Sequence, residues 1–320
     1  GGGWFTNTYG WESIFWIRVP IGIAVLIVGA LMIQAKVAAP TETRKGSFNW
    51  LGTGLLYLGL FMFALSISIA RIDGWTSIGT LGTGAAFVLF FGYFVFRERH
   101  VPNPLVPARL LADWTFRQGA ISNLIGTTAY FLMWFLFPFY IADALGRDSI
   151  ALGAMLATMG ALTFVGSTIG GWLADRLGDR AMTIVGSIAT AGGLLWMSQI
   201  DETATLPEVA LRAGAIGLAF GIHQSSVYAL TMRHVQPHMV SAASATLAVM
   251  QTIGTVVSVS IGTMIFTWRE DAALERGLSE TGAFIDAYSD AFLAATAVAV
   301  LAAVVVVGRS AKREGAPTGE

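Results

Sequence analysis

The polar residues that interrupt the long apolar runs of this sequence are the ones that could do chemistry. His223 lies in the stretch GLAFGIHQSS, Gly217 to Ser226, within an otherwise apolar run. An ionisable side chain inside a membrane segment is a functional candidate by default, and imidazole changes charge near neutral pH. His223 and the adjoining Gln224 are therefore candidates for contact with a substrate or a proton. The alternative is a neutral histidine bonded to a neighbour such as Ser225 or Ser226. Asn123, Thr127, Tyr130 and Trp134 are spaced four, three and four residues apart, which places them on one helix face. Such a face can line a cavity for amphipathic, aromatic compounds, or it can be a hydrogen-bonding seam between helices.

A second polar group is the stretch GGWLADRLGDR, Gly170 to Arg180, between the apolar runs Ile150 to Ile169 and Ala181 to Ile200. Asp175, Arg176, Asp179 and Arg180 do not belong in hydrocarbon, so the turn is expected at a membrane face. Gly178 supplies the positive φ that a tight reversal often needs. Asp175 is expected to face the positive end of the next helix dipole. Arg176 and Arg180 can pair with carboxylates or lipid phosphates. An ordinary polar turn between two membrane helices is the plain alternative.

The elements that position these groups follow from composition. The chain has 320 residues, 55% hydrophobic and only 12% charged, with mean hydropathy +0.66. Ordinary soluble domains carry about 25% charged residues, so this composition indicates an all-α polytopic membrane protein. The absence of cysteine removes disulfides and thiol chemistry. His100, His223, His234 and His238 have no zinc-like spacing with acids. With no nucleophile elbow and no phosphate loop, no enzyme, metal or cofactor is expected. The net charge of −1 says nothing of nucleic acid, and no such partner is expected. The chain starts at Gly1 without a signal-like segment, and it reads as a piece of a longer protein.

A bilayer crossing takes about 20 apolar residues. Nine runs qualify: Ser13 to Ile33, Trp50 to Ala70, Ile78 to Phe96, Phe116 to Ala142, Ile150 to Ile169, Ala181 to Ile200, Leu206 to Met232, Ser241 to Thr267 and Phe292 to Gly308. Pro138 predicts a kink, and Pro102, Pro104 and Pro107 keep the linker from forming one helix. Gly166 and Gly170, Gly217 and Gly221, and Gly254, Ser258 and Gly262 are each four apart, a spacing that lets helices pack closely in a bilayer.

The run G-x-L-A-D-R-x-G-x-R resembles the signature loop of the major facilitator superfamily, in its second-half copy. Gly171, Leu173, Ala174, Asp175, Arg176, Gly178 and Arg180 carry the match. W-E-S-I-F-W-I-R-V-P-I-G, Trp11 to Gly22, resembles the sixth helix of the drug:proton antiporter branch with fourteen helices. P-L-V-P-A-R-L-L, Pro104 to Leu111, resembles that branch as well, and Gln251 matches a polar position of its thirteenth helix. Ala142 and Met159 depart from the branch, which has glutamine and proline there.

The resemblance implies a partial fold, the sixth to fourteenth of fourteen helices. Residues 1–35 would close the first six-helix half, and 36–96 would be a loop and an extra two-helix hairpin. A linker would span 97–117, the second half 118–308, and a cytoplasmic tail 309–320. Gly171, Asp175, Arg176, Gly178 and Arg180 would be the gating loop. The expected activity is proton-coupled efflux of small amphipathic compounds or drugs, with protons, the lipid bilayer and the missing N-terminal half as partners. Two alternatives stay open: another substrate class, such as a sugar, siderophore or metabolite, or a non-transporting sensor or decayed fragment.

Basic residues orient the chain in the plasma membrane. With the signature loop inside, Lys36, Arg44, Lys45, Arg97, Arg99, Arg109, Arg117, Arg176, Arg180, Arg233, Arg309, Lys312 and Arg313 all fall on the cytoplasmic side. These are 13 of the 19 lysines and arginines, and they predict a cytoplasmic C terminus.

Overall fold

The computed structural model describes residues 8–10, 12–32, 49–201, 203–233 and 235–307, all of them in helices or short connections. The triplet Gly1–Gly3, the loop before residue 49 and the C-terminal tail lie outside the described residues. So do His234, Lys36, Arg44, Lys45, Arg309, Lys312 and Arg313.

The helices are α1 Ser13–Met32, α2 Trp50–Asp73, α3 Ile78–Glu98, the short α4 Ala108–Ala112, α5 Trp114–Phe139, α6 Ser149–Leu177, α7 Asp179–Met197, α8 Leu206–Met232, α9 Val240–Glu275 and α10 Glu280–Val307. Short polar side chains start several of them. Asn49, Ser77, Asp113 and Asp148 each accept a hydrogen bond from a first-turn N–H, at 3.0, 3.1, 2.7 and 3.0 Å. A π-helical turn, Tyr140–Ala144, follows α5 directly after Pro138. Proline has no N–H and crowds the preceding turn, so the regular ladder gives way at that point.

Among the described residues, seven helices are long and apolar enough to cross a membrane; α7 and α8 are the long ones that fall short. The expectation of nine runs counted both. Their polar residues explain the difference. Thr183, Ser187 and Thr190 on α7, and Arg212, His223, Ser226 and Thr231 on α8, are all buried inside the bundle rather than turned to lipid.

Helices α5 to α10 form one bundle, and α8 sits against α5, α6 and α7. The glycine spacings mark its closest approaches. A Cβ on Gly166 would strike the Leu218 carbonyl, and one on Gly217 would lie 2.6 Å from the Met159 carbonyl. On α9, a Cβ at Gly254 would lie 2.6 Å from the Leu124 carbonyl of α5. These glycines are packing surfaces where backbones touch.

The hairpin α2–α3 stands beside the bundle. Leu56, Leu60 and Phe94 pack on Val249, Ile253 and Val256 of α9. At the same end the Asn49 amide donates to buried Glu98 at 2.8 Å, Val106 N–H donates to Glu98 at 3.0 Å, and Arg97 donates to Asn49 at 2.6 Å. This knot joins both hairpin ends to the proline-rich linker. By contrast, α1 is exposed over nearly its whole length.

The last two helices are longer than the apolar runs. The apolar runs stop at Thr267 and resume at Phe292, yet α9 continues to Glu275 and α10 begins at Glu280. Ion pairs Arg269–Asp290 and Arg276–Asp286 bridge them, and Ala273, Ala283, Phe284, Ala287 and Tyr288 are buried along them. Cross-helix pairing and packing carry the helices past the membrane-length limit. The 36 residues of α9 span about 54 Å against ~30 Å of hydrocarbon.

Candidate functional site

Two groups of polar side chains stand out, one at the Gly178 turn and one inside the bundle. The turn is a single residue. Helix α6 ends at Leu177, Gly178 has φ +95° and returns its N–H to Ala174 at 2.9 Å, and α7 begins at Asp179. A side chain with a Cβ is disfavoured at that φ, which is why glycine stands there.

The acid at the start of α7 is Asp179, not Asp175. Asp179 is 6% exposed and takes both prongs of the Arg233 guanidinium from the end of α8, Nε at 2.5 Å and Nη2 at 2.8 Å. Asp175 lies in the last turn of α6 with its side chain 80% exposed, 3.7 Å from Arg233. The sequence expectation that Asp175 faces the helix dipole is thus corrected. A carboxylate in the first turn of α7 lies at the positive end of that helix's dipole, and one four residues earlier, in the last turn of a different helix, does not.

Arg180 ties three helices. Its Nε donates to the Val306 carbonyl of α10 at 2.8 Å, and Nη2 donates to Gln118 of α5 at 2.7 Å. Gln118 in turn donates to the Val305 carbonyl at 2.8 Å. Arg176 lies over the Trp172 ring at 3.8 Å, on the outside of α6, and a Cβ on Gly171 would meet open space. Within the motif, Arg180 and Gly178 therefore make the structural contacts, while Gly171, Asp175 and Arg176 face outward. From sequence, Asp179 is placed only at the membrane face and Arg233 only on the cytoplasmic side, and Gln118 is not singled out. The signal for Asp179 was present, an acid directly after a helix-ending glycine.

The interior group lies where α5, α6, α7 and α8 converge. Tyr130 stacks on Phe220 with ring centroids 3.8 Å apart and planes 4° apart, and its hydroxyl meets that of Thr163 at 3.1 Å. Phe220 leads on to His223 at 6.0 Å. The His223 Nδ1 is 2.8 Å from the Ser187 hydroxyl, and Nε2 points to Gly126, where a Cβ would collide with it. A Cβ on Gly186 would meet the His223 backbone, so the residue is held at its backbone by Gly186 and at its ring by Gly126. The partner of His223 is thus Ser187 on α7, not Ser225 or Ser226; the Ser225 hydroxyl bonds its own helix at Gly221 and Ile222.

Asn123 and Thr127 are fully buried on the same face of α5. The Asn123 amide donates to the Leu247 carbonyl of α9 at 3.3 Å, while its own oxygen, the Thr127 hydroxyl and the Gln224 side-chain oxygen have no hydrogen-bond partner among the described residues. Trp134 is half-buried against the main core, and Gln251 is half-buried on α9, outside the Tyr130–Phe220–His223 contacts. Phe220, Thr163 and Ser187 join the group only through tertiary packing. No set of three or more metal-ligating side chains occurs among the described residues.

The sequence profile of the Major Facilitator Superfamily matches residues 119–320. The tetracenomycin C resistance and export protein of Streptomyces glaucescens is 28% identical over 68% of this chain and 40% of its own length. A multidrug resistance protein B homolog of Mycobacterium tuberculosis is 24% identical over 84% of this chain and 50% of its own. Multidrug resistance protein 3 of Bacillus subtilis is 24% identical over 90% of this chain and 53% of its own. The chain thus spans about half the length of the curated relatives it matches.

Proposed function

The chain belongs to the Major Facilitator Superfamily, and from that membership we propose that the whole protein is a proton-coupled exporter of small amphipathic compounds. The observation that carries this reading is the Tyr130–Phe220–His223 line with Asn123 and Thr127 beside it. Polar atoms without partners are costly inside a membrane bundle and are kept where function uses them. Rings that stack and hydroxyls or amides that bond suit compounds with an apolar body and a few polar groups. The resistance and export proteins among its relatives support the same class of substrate.

The finer reading places this chain as nine spans of the fourteen-helix branch. Residues 1–35 close the first half, 36–96 hold the loop and extra hairpin, 97–117 form a linker, 118–308 form the second half, and 309–320 are a cytoplasmic tail. The gating residues are Gly171, Asp175, Arg176, Gly178 and Arg180, and the cavity residues are Asn123, Thr127, Tyr130, Trp134, His223, Gln224 and Gln251. A first six-helix half, the partner of this one, would rock against it around a central site.

The test is substrate-stimulated proton flux in vesicles holding the full-length gene product. Flux on addition of a fluorescent amphipathic cation supports the reading. Flux driven instead by a sugar or siderophore overturns the substrate class. Cells expressing residues 1–320 alone should show no efflux above a vector control, since alternating access needs two halves.

A further inference from the structure

The hairpin α2–α3 touches α9 firmly at one end only. Leu56 and Leu60 meet Val249, Ile253 and Val256 near the end that holds the Asn49–Glu98 knot. Towards the opposite face the helices part and leave a cleft of about 680 Å³ between α2 and α9, within the ~300–1,000 Å³ typical of small-molecule sites. Its inner walls include Ala64, Ser260 and Met264, and its rim holds Arg71, Trp75, Trp268 and Asp271.

Residue types along the cleft follow the layers of a bilayer. The inner walls are apolar, interrupted by the hydroxyls of Ser68, Ser260, Thr263 and Thr267. The rim carries two tryptophans, 59% and 68% exposed, the residue type that gathers at headgroup depth. Beside them stand one cation and one anion. Among the described residues, neither Arg71 nor Asp271 has an ion-pair partner. A headgroup bearing both a phosphate and a primary ammonium would satisfy both, the guanidinium binding phosphate and the carboxylate accepting from ammonium. A purely anionic lipid would leave Asp271 opposed, and a cationic amphiphile would leave Arg71 opposed. A groove facing hydrocarbon is filled by an acyl chain with no water to expel.

We propose that the cleft between α2 and α9 is a binding site for one phosphatidylethanolamine molecule, with an acyl chain along Ala64, Ser260 and Met264 and its headgroup between Arg71 and Asp271. The bound lipid would fill the wedge between the hairpin and the bundle. This proposal rests on membrane embedding alone and holds whatever the protein transports.

The test is native mass spectrometry of the whole protein, released in mild detergent from bilayers of equal phosphatidylethanolamine, phosphatidylglycerol and phosphatidylcholine. One retained phosphatidylethanolamine is expected. Arg71→Gln should lower retention by up to about fivefold, the weight of one exposed charge-assisted contact to the phosphate. Asp271→Asn should erase the preference for phosphatidylethanolamine over phosphatidylcholine, and Ser260→Phe should abolish retention by filling the cleft. Preference for phosphatidylglycerol in the wild type, or retention unchanged in Ser260→Phe, would overturn the proposal. Should Ser260→Phe fail to fold, trace phosphatidylethanolamine with brominated chains serves in its place. Saturable quenching that disappears in Trp268→Phe supports the site; non-saturable quenching overturns it.

Discussion

Asp179 and Arg233 close the bundle at the Gly178 turn with a two-pronged ion pair, 2.5 and 2.8 Å between their nitrogen and oxygen atoms. The pair joins the first turn of α7 to the last turn of α8. The acid is almost fully buried and the guanidinium is half exposed. One partner in water and one out of it makes a bond that a change in packing can open.

Asp179→Asn should therefore matter more than Asp175→Asn. Losing a charge-assisted pair of this kind costs about 1–2 kcal/mol after discounting for the exposed arginine. That is enough to shift a balanced pair of conformations severalfold to about thirtyfold. Transport by the full-length protein should fall further in Asp179→Asn than in Asp175→Asn, with membrane insertion intact in both. Equal loss in both would show that the exposed acid acts in a state other than this one.

Arg180→Lys keeps the charge and removes the fork that reaches Gln118 and the Val306 carbonyl at once. Gln118→Leu removes one of those acceptors. Thermal stability in detergent should fall for each variant, and the double variant should lose less than the two losses added together, because both act on one bond. Strict additivity would separate the two residues.

Gly166→Ala should destabilise the bundle by about 1–3 kcal/mol, since the new methyl meets the Leu218 carbonyl across the α6–α8 contact. Gly171→Ala, five residues on and facing open space, should be neutral or slightly stabilising. Unfolding temperatures of the two variants give the comparison directly.

His223→Gln tests the interior line. If the line meets substrate or protons, efflux should change in selectivity or in pH profile. Tyr130→Phe, which keeps the ring stack on Phe220 and loses the Thr163 contact, should then alter selectivity among polar substrates more than among apolar ones. Unchanged selectivity and pH profile in both variants would make the group purely structural.

The basic-residue distribution predicts the orientation. The chain has no cysteine, so single cysteines report cleanly. One at Arg109 should be shielded from an impermeant thiol reagent in intact cells, and one at Ser279 should react. Labelling at Arg109 with protection at Ser279 would invert the topology.

What the sequence alone determined is local or compositional. Mean hydropathy set the membrane class, since apolar runs of bilayer length have few other solutions. The glycine that ends α6 was legible because it acts within one helix turn. The four-residue glycine spacings pointed to close packing; Gly166, Gly170, Gly217, Gly221 and Gly254 mark backbone contacts, and Gly262 meets the Leu132 side chain. Tertiary structure decided the rest. The position of Asp179 after a helix-ending glycine is local, but only the placement of α7 beside α8 gives it Arg233 as a partner. The same placement gives His223 to Ser187, 36 residues earlier in the chain. Helices α9 and α10 outrun their apolar segments because ion pairs and buried alanines between them replace the membrane as the support. The α2–α9 cleft exists only where two helices diverge, and divergence is a relation between elements that no single stretch of sequence contains.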